Sequence, residues 1–286
     1  MSRLLVYYRL AKPGMVYGNV LAALTGFAVA SGSTIAMTHL ISLLIGLSLV
    51  MGSSCMVNNI RDRAADQRMR RTSRRPTATG QILPRHAWVV AYIVLALGVL
   101  IMAWHSRGLA IGLALVGWIL YAGIYTSLKP RTAYATLVGS LPGALPPVIG
   151  YVSVTGACDG TTVLLLAALI CWQMVHFYTI ALRYIDEYRN ADIPVYAVTY
   201  GMPATVTAIK VYSLVYVQSI VVLGIWLGLP PLAHAAIGLA HLALLASIWS
   251  PYTSSSSQRW ARRVFSRSIM ALSVWCAVTT AAAVLG

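Results

Sequence analysis

The sequence predicts an all-α, polytopic membrane protein, a bundle of about nine transmembrane helices, and three observations carry that reading. Of 286 residues, 59% are hydrophobic and only 9% charged, with a mean hydropathy of +0.76, far from the balance of a soluble domain. The apolar residues gather in segments of roughly 17 to 25 residues, the length a helix needs to cross a bilayer. The basic residues fall in alternate connections, as they do when one membrane face is cytoplasmic.

Taken in order, the first span, Met15 to Ala30, follows Arg3, Arg9 and Lys12. Ala28-Val29-Ala30 resembles a cleavage site, but Pro13-Gly14 and Asn19 interrupt the pattern of a signal peptide, so the segment reads as a retained helix. His39 to Val57 leads into the most basic loop of the chain, Arg61 to Arg85. His86 to Trp104 and Gly108 to Leu128 are joined by a short connection holding Arg107. Tyr134 to Val154 contains "GSLPGALPPVIG", whose three prolines are expected to break the helix; broken helices persist at membrane depth where they line a cavity. Gly139 and Gly143 in the same segment also read as a GxxxG packing face. Thr161 to Leu182 carries His176, and an ionisable residue inside a span is a functional candidate by default. Thr207 to Leu227, Leu232 to Trp249 and Ser268 to Leu285 are apolar spans without a chemical signature.

With the N-terminus in the cytoplasm, every one of the 21 Lys and Arg except Arg107 lies on the cytoplasmic side, and an odd number of spans puts the C-terminus outside. Topology thus accounts for the net charge of +15, and no nucleic-acid partner is needed to explain it. Cys55, Cys158, Cys171 and Cys276 show no CxxC or Cys/His spacing, which argues against a disulfide framework or a structural zinc.

The six acids are Asp62, Asp66, Asp159, Asp186, Glu187 and Asp192, and all but Asp159 fall in two loops on the cytoplasmic face. A carboxylate costs about 2.5 to 3.5 kcal/mol at the centre of a span and less at its end, so two clusters there imply a task. On a helix continuing from the second span, Asn58, Asp62 and Asp66 stand at i, i+4 and i+8. Each step drifts only about 40°, so the three share one stripe. Two carboxylates beside an amide suit Mg²⁺, which keeps several waters and takes phosphate oxygens from a substrate. Arg68, Arg70, Arg71, Arg74 and Arg75 offer forked donors for the remaining oxygens, and together these residues describe a diphosphate site. The plainer alternatives are an Asp66–Arg70 pair on a solvated helix end and an Arg183–Glu187 pair in the second cluster. Acids at the cytoplasmic ends of spans, rather than at mid-membrane, fit a transporter poorly.

"KPGMVYGN" (Lys12 to Asn19), "NNIRDRAADQRMRRT" (Asn58 to Thr72), "YATLVGSLPGALPPVIGYVSVTG" (Tyr134 to Gly156), "WQMVHFY" (Trp172 to Tyr178) and "DEYRNADIPV" (Asp186 to Val195) together resemble the protoheme IX farnesyltransferases, or heme O synthases. These are a branch of the UbiA-type intramembrane prenyltransferases. The resemblance implies a single prenyltransferase domain over residues 1–286, with nine helices around a central cavity capped by acidic cytoplasmic loops at 58–85 and 183–206. It implies an enzyme of the bacterial cytoplasmic membrane that transfers farnesyl from farnesyl diphosphate to a vinyl group of heme b, with water added and diphosphate released. A quinone precursor or another tetrapyrrole is the alternative acceptor. Mg²⁺ is the implied cofactor, with Asp62, Asp66, Asn58, Glu187 and Asp186 as its ligands, and Asp62, Asp66 and Glu187 as the catalytic carboxylates. Asn19, Asn58, Arg63, Arg71, Lys129, Tyr188 and His176 are implied in substrate binding, His176 through the heme iron or a propionate. Heme A synthase or a terminal oxidase assembly is the implied protein partner. Asp186 and Asp192 depart from the residues usual at their positions, which leaves open which of Asp186, Glu187 and Asp192 meets the metal.

Overall fold

Long apolar runs without internal charge can satisfy their backbone in a bilayer only as helices, and the computed structural model, which describes residues 3–253 and 256–286, is built that way. A short helix α1 (Arg3–Leu10) precedes α2 (Pro13–Ser31) and α3 (Met37–Arg61). A single-turn helix α4 (Arg63–Arg68) opens the first acidic loop, which returns to α5 (Pro84–Ala103). Next come α6 (Gly108–Trp118), a π-helical stretch (Ile119–Tyr125) and α7 (Thr126–Leu128), which together make one span. They are followed by α8 (Ala135–Thr155), α9 (Gly160–Arg183), the short α10 (Ile185–Asn190), α11 (Tyr196–Trp226), α12 (Pro231–Trp249) and α13 (Ser257–Leu285). Among the described residues, nine helices are long and apolar enough to cross a membrane, as expected from the sequence.

Two spans begin earlier than the hydropathy pattern suggests. The seventh starts at Tyr196 rather than Thr207, and the segment bends at Gly201, whose φ of 78° only glycine adopts without strain. The ninth starts at Ser257 rather than Ser268, because its first three turns carry Arg259, Arg262, Arg263 and Arg267 beyond the apolar region. The sixth acid, Asp159, is spent on structure. Its Oδ1 accepts the N–H groups of Thr161 (2.9 Å) and Thr162 (3.2 Å) and so caps the N-terminus of α9.

The three prolines do not break α8, contrary to expectation: Ala135–Thr155 is one helix with Pro142, Pro146 and Pro147 inside it. At one of the three, a neighbouring span replaces the lost bond. Pro147 has no N–H for the carbonyl of Gly143, and Gln173 Nε2 of α9 donates to that oxygen instead, at 3.3 Å. Gly143 leaves the room for it, since a Cβ there would stand 2.5 Å from the Gln173 amide. Gly139 likewise receives the ring of Tyr125, which a Cβ would meet at 2.7 Å. The expected GxxxG pair is therefore two notches for side chains. The backbone-to-backbone crossing lies elsewhere on α8, against α2. A Cβ on Gly150 would sit 2.0 Å from the carbonyl of Ala23, and one on Gly26 would sit 1.8 Å from that of Pro147.

This crossing generates a prediction. Gly150→Val forces two backbones apart and should lower stability by about 3 kcal/mol or more. Gly112→Ala, where nothing lies within 4 Å of the new methyl, should leave it unchanged. Thermal unfolding of the two variants in one detergent, compared with the parent, checks the difference.

Candidate active site

Asp62 caps the C-terminus of α3 with φ −79° and ψ 0°, so the helix loosens there and restarts as α4. The i+4 backbone bonds still run through the break. Asp62 N–H reaches Asn58 O, and Asp66 N–H reaches Asp62 O, both at 2.8 Å. The Asn58, Asp62 and Asp66 stripe thus survives across two short helices, and all three side chains are buried, with Asp66 only 1% exposed.

Buried carboxylates need compensation, and the partners come from distant parts of the chain. Lys129 Nζ donates to Asp62 Oδ2 at 2.7 Å. Arg75 Nη1 reaches both oxygens of Asp66 at 2.8 Å. Lys12 Nζ donates to Asn58 Oδ1, while Asn58 Nδ2 donates to Thr126 Oγ1 at 2.9 Å and to Asp62 Oδ2 at 3.2 Å. Burial, with Arg75 nearby, pulls the Lys12 ammonium down to about 8. Burial would also lower Lys129, but Asp62 outweighs it and holds this ammonium above its ordinary value.

Of these partners, Lys12 lies within a motif quoted above, Arg75 was one arginine among several, and Thr126 carried no signal. Arg61 is a further residue with no sequence signal. Its guanidinium caps the widened turn, donating to Ala122 O (2.8 Å), Gly123 O (2.9 Å) and Ser127 Oγ (2.6 Å). The π-helical stretch in turn stacks Tyr121 on Tyr125, with ring centroids 5.5 Å apart.

The second acidic loop docks on the first, but its acids do not converge with Asp62 and Asp66. Met69 is buried with Ala191 and Ile193 in a small apolar cluster that also takes in Tyr188. Arg71 N–H donates to Glu187 Oε2 at 2.9 Å, and Arg71 Nη2 reaches Tyr188 OH at 3.4 Å. Arg68 pairs with Asp192, which itself sits at a positive φ of 56°. Asp186 is exposed and pairs with Arg189 at 2.9 Å, away from the stripe. Among the described residues, no three acidic, Cys or His side chains gather as a ready metal cage. The proposed joint set of Asp62, Asp66, Glu187 and Asp186 is therefore not assembled: each acid holds its own local partner. The pairs Asp66–Arg70 and Arg183–Glu187 are not formed either, and Arg63 is exposed with no hydrogen bond or ion pair among the described residues.

Asp62, Asp66 and Asn58 do fit a divalent cation by donor chemistry. They are hard oxygen donors on one buried stripe, and ammonium and guanidinium groups already lie against both carboxylates where positive charge is needed.

An apolar cavity of about 430 Å³ lies between α2, α3, α6, the π stretch, α8, α9 and α13. Asn19, Tyr121 and His176 all line it. Asn19 spends its amide on the Met15 carbonyl at 2.8 Å. His176 stacks on Trp172 (4.9 Å) and lies 4.7 Å from the ring of Phe265. The hydroxyl of Ser268 donates to Phe265 O at 2.8 Å and stands 3.5 Å from His176 Nδ1.

A buried, oxygen-rich stripe that begins one turn beyond Ser54 of the cavity wall, among nine helices of membrane-spanning length, suits a substrate with an anionic head and an apolar tail. The fold is shared with solved structures. A digeranylgeranylglyceryl phosphate synthase superposes with a TM-score of 0.78 at 13% identity, covering 100% of both chains. A UbiA homologue from Archaeoglobus fulgidus bound to DMAPP and Mg²⁺ superposes with a TM-score of 0.71 at 18% identity, covering 96% of this chain and 98% of its own. Residues 19–283 match the model of the UbiA prenyltransferase family, and the chain belongs to that family. Within it, the chain is 37% identical over 273 residues to protoheme IX farnesyltransferase 2 of Pseudomonas paraeruginosa, spanning 93% of this chain and 90% of the relative.

The ion pairs generate a prediction. Arg75→Met leaves Asp66 buried and unpaired, and should cost about 3 to 5 kcal/mol of stability. Adding Asp66→Asn should recover most of it, and thermal unfolding of the single and double variants measures the recovery.

Proposed function

We propose that this prenyltransferase transfers a farnesyl group from farnesyl diphosphate to a vinyl group of heme b, giving a hydroxyethylfarnesyl side chain and free diphosphate. The observation that carries the reading is the buried Asn58, Asp62 and Asp66 stripe, ringed by Lys12, Lys129 and Arg75, which begins one turn beyond Ser54 on the wall of the cavity that His176 also lines. The match to protoheme IX farnesyltransferases over nearly the whole chain supports heme as the acceptor.

Asp62 and Asp66, with Asn58, would hold Mg²⁺, which when bound neutralises the departing diphosphate as the allylic C–O bond breaks. Lys12, Lys129 and Arg75 are placed to take over diphosphate oxygens as the carboxylates turn to the cation. Arg71, docked beside them through Glu187 and Tyr188, adds a guanidinium at the rim. The second loop thus acts by positioning the first. The farnesyl chain takes part of the apolar cavity, on the Tyr121 side, and the faces of Tyr121 and Trp172 on its wall stabilise the allylic cation. The vinyl π pair then forms the new C–C bond, leaving positive charge on the carbon next to the macrocycle. Water adds there and releases a proton. His176 Nε2 is the group on this wall suited to the heme iron and would fix the acceptor's position.

The charge pattern supports an N-terminus in the cytoplasm and a C-terminus on the outer side of a bacterial cytoplasmic membrane. A downstream heme A synthase or oxidase would receive the product.

Purified protein given heme b, farnesyl diphosphate and Mg²⁺ should yield farnesylated heme by mass spectrometry. Chelation of Mg²⁺ should stop the reaction, and Asp66→Ala should lower it by about 10³-fold or more while the protein still accumulates in the membrane. Prenylation of a quinone precursor by folded protein that leaves heme b unchanged would overturn the heme assignment.

A further inference from the structure

A second polar pocket, about 470 Å³, opens on the cytoplasmic side between the end of α9, α10 and the start of α13. Arg70, Arg183, Arg259 and Arg262 line it. Among the described residues, none of the four has a carboxylate partner. The two acids at its edge are committed elsewhere, Asp186 to Arg189 and Glu187 to the Arg71 N–H. Arg183 is held by rings instead, 5.0 Å from the centroid of Tyr184 and 6.0 Å from that of Phe265. Cation–π contacts position a guanidinium while leaving its N–H donors for a ligand.

The pocket and the apolar cavity are lined by successive turns of the same two helices. On α9, His176, Phe177 and Ile180 face the cavity and Arg183 the pocket; on α13, Arg259 and Arg262 face the pocket and Phe265, Ile269 and Leu272 the cavity. From His176 to Arg183 is about two turns, roughly 10 Å along the helix. Phe265 is the partition, touching the His176 ring on one side and the Arg183 guanidinium on the other. This is the imprint of a flat apolar body with anions on one edge. Asp186 and Glu187 also line the pocket, but with Arg189 and the Arg71 N–H as their partners they leave its four guanidiniums for an anion, and guanidinium forks suit carboxylates directly.

We propose that Arg183, Arg259 and Arg262, with Arg70 across the pocket, bind the two propionate carboxylates of the porphyrin acceptor and so set which edge of the macrocycle points into the cavity. The inference rests on the heme reading above and adds the site that orients it. The protein then has two separate anion sites on its cytoplasmic face, one for each substrate.

The test is a Soret titration of the full-length protein in phosphatidylcholine nanodiscs without farnesyl diphosphate, using heme b and its dimethyl ester. The ester keeps the iron and its His176 contact but loses both carboxylates. The parent should bind heme b about 10-fold or more tightly than the ester. In R259Q/R262Q, whose side chains are exposed, and in Arg183→Gln, the two should come within about 3-fold while ester affinity stays unchanged. Equal affinity in the parent, or discrimination that persists in the variants, overturns the proposal. Binding of neither porphyrin by folded parent protein overturns the heme reading itself. If the parent does not discriminate but retains phosphatidylglycerol through purification, and R259Q/R262Q does not, the pocket holds a lipid headgroup and the proposal falls.

Discussion

Two carboxylates taken out of water at the end of one helix set the arrangement of the loops around them. Asp62 and Asp66 are both buried, and an unpaired buried carboxylate costs more than most single contacts return. Each therefore needs a cation, and each cation is delivered by a different element. Lys129 follows the fourth span and Arg75 comes from the loop after α4, while Lys12, bonded to Asn58, precedes α2. The pairings tie the start of α2 and the end of the fourth span to the end of α3. They also keep an electropositive ring around an oxygen stripe, so the arrangement that stabilises the ligand-free fold is the one a metal and a diphosphate can take over.

The cavity beneath depends on a second constraint, that no backbone polar group in the hydrocarbon region goes unpaired. The chain departs from regular helix twice at the cavity wall, and both departures are repaired by a side chain from another element. Gln173 supplies the donor that Pro147 removes, and Arg61 covers the carbonyls exposed by the π-helical turn. These departures leave room: prolines and glycines keep α8 narrow beside the cavity, and the widened turn aims Tyr121 at it.

Much of this was legible in the sequence. Nine spans, the shared face of Asn58, Asp62 and Asp66, and His176 inside a span are local signals, written by hydropathy and by i, i+4 spacing. What was illegible is long-range. The pairing of Asp66 with Arg75 rather than Arg70, and of Glu187 with a backbone N–H rather than Arg183, depends on how two loops fold over each other. Spacing along one helix carries no information about that. The intact α8 was misread for the same reason: a proline removes a donor wherever it occurs, but whether the helix breaks depends on a glutamine from the next span. The sequence leaves open which of Asp186, Glu187 and Asp192 meets the metal; adjacent residues on a helix point about 100° apart, and of the neighbours Asp186 and Glu187 it is Glu187 that turns toward the first loop.

The docking of the two loops has a consequence for the chemistry. Met69, Ala191 and Ile193 exclude water from the contact, so the second loop holds Arg71 through Glu187 and Tyr188 without placing a carboxylate of its own on the stripe. Asp62 and Asp66 are thus the two carboxylates buried on the stripe, while Glu187 is taken up by the Arg71 N–H. A third carboxylate would repel the anionic head that the surrounding cations attract, and with only two acids among three cations the free site stays net positive. A reaction that begins by capturing a diphosphate and ends by releasing one needs that balance. The field must be strong enough to draw the substrate out of the bilayer surface, and two carboxylates must remain to keep the product from binding too tightly to leave.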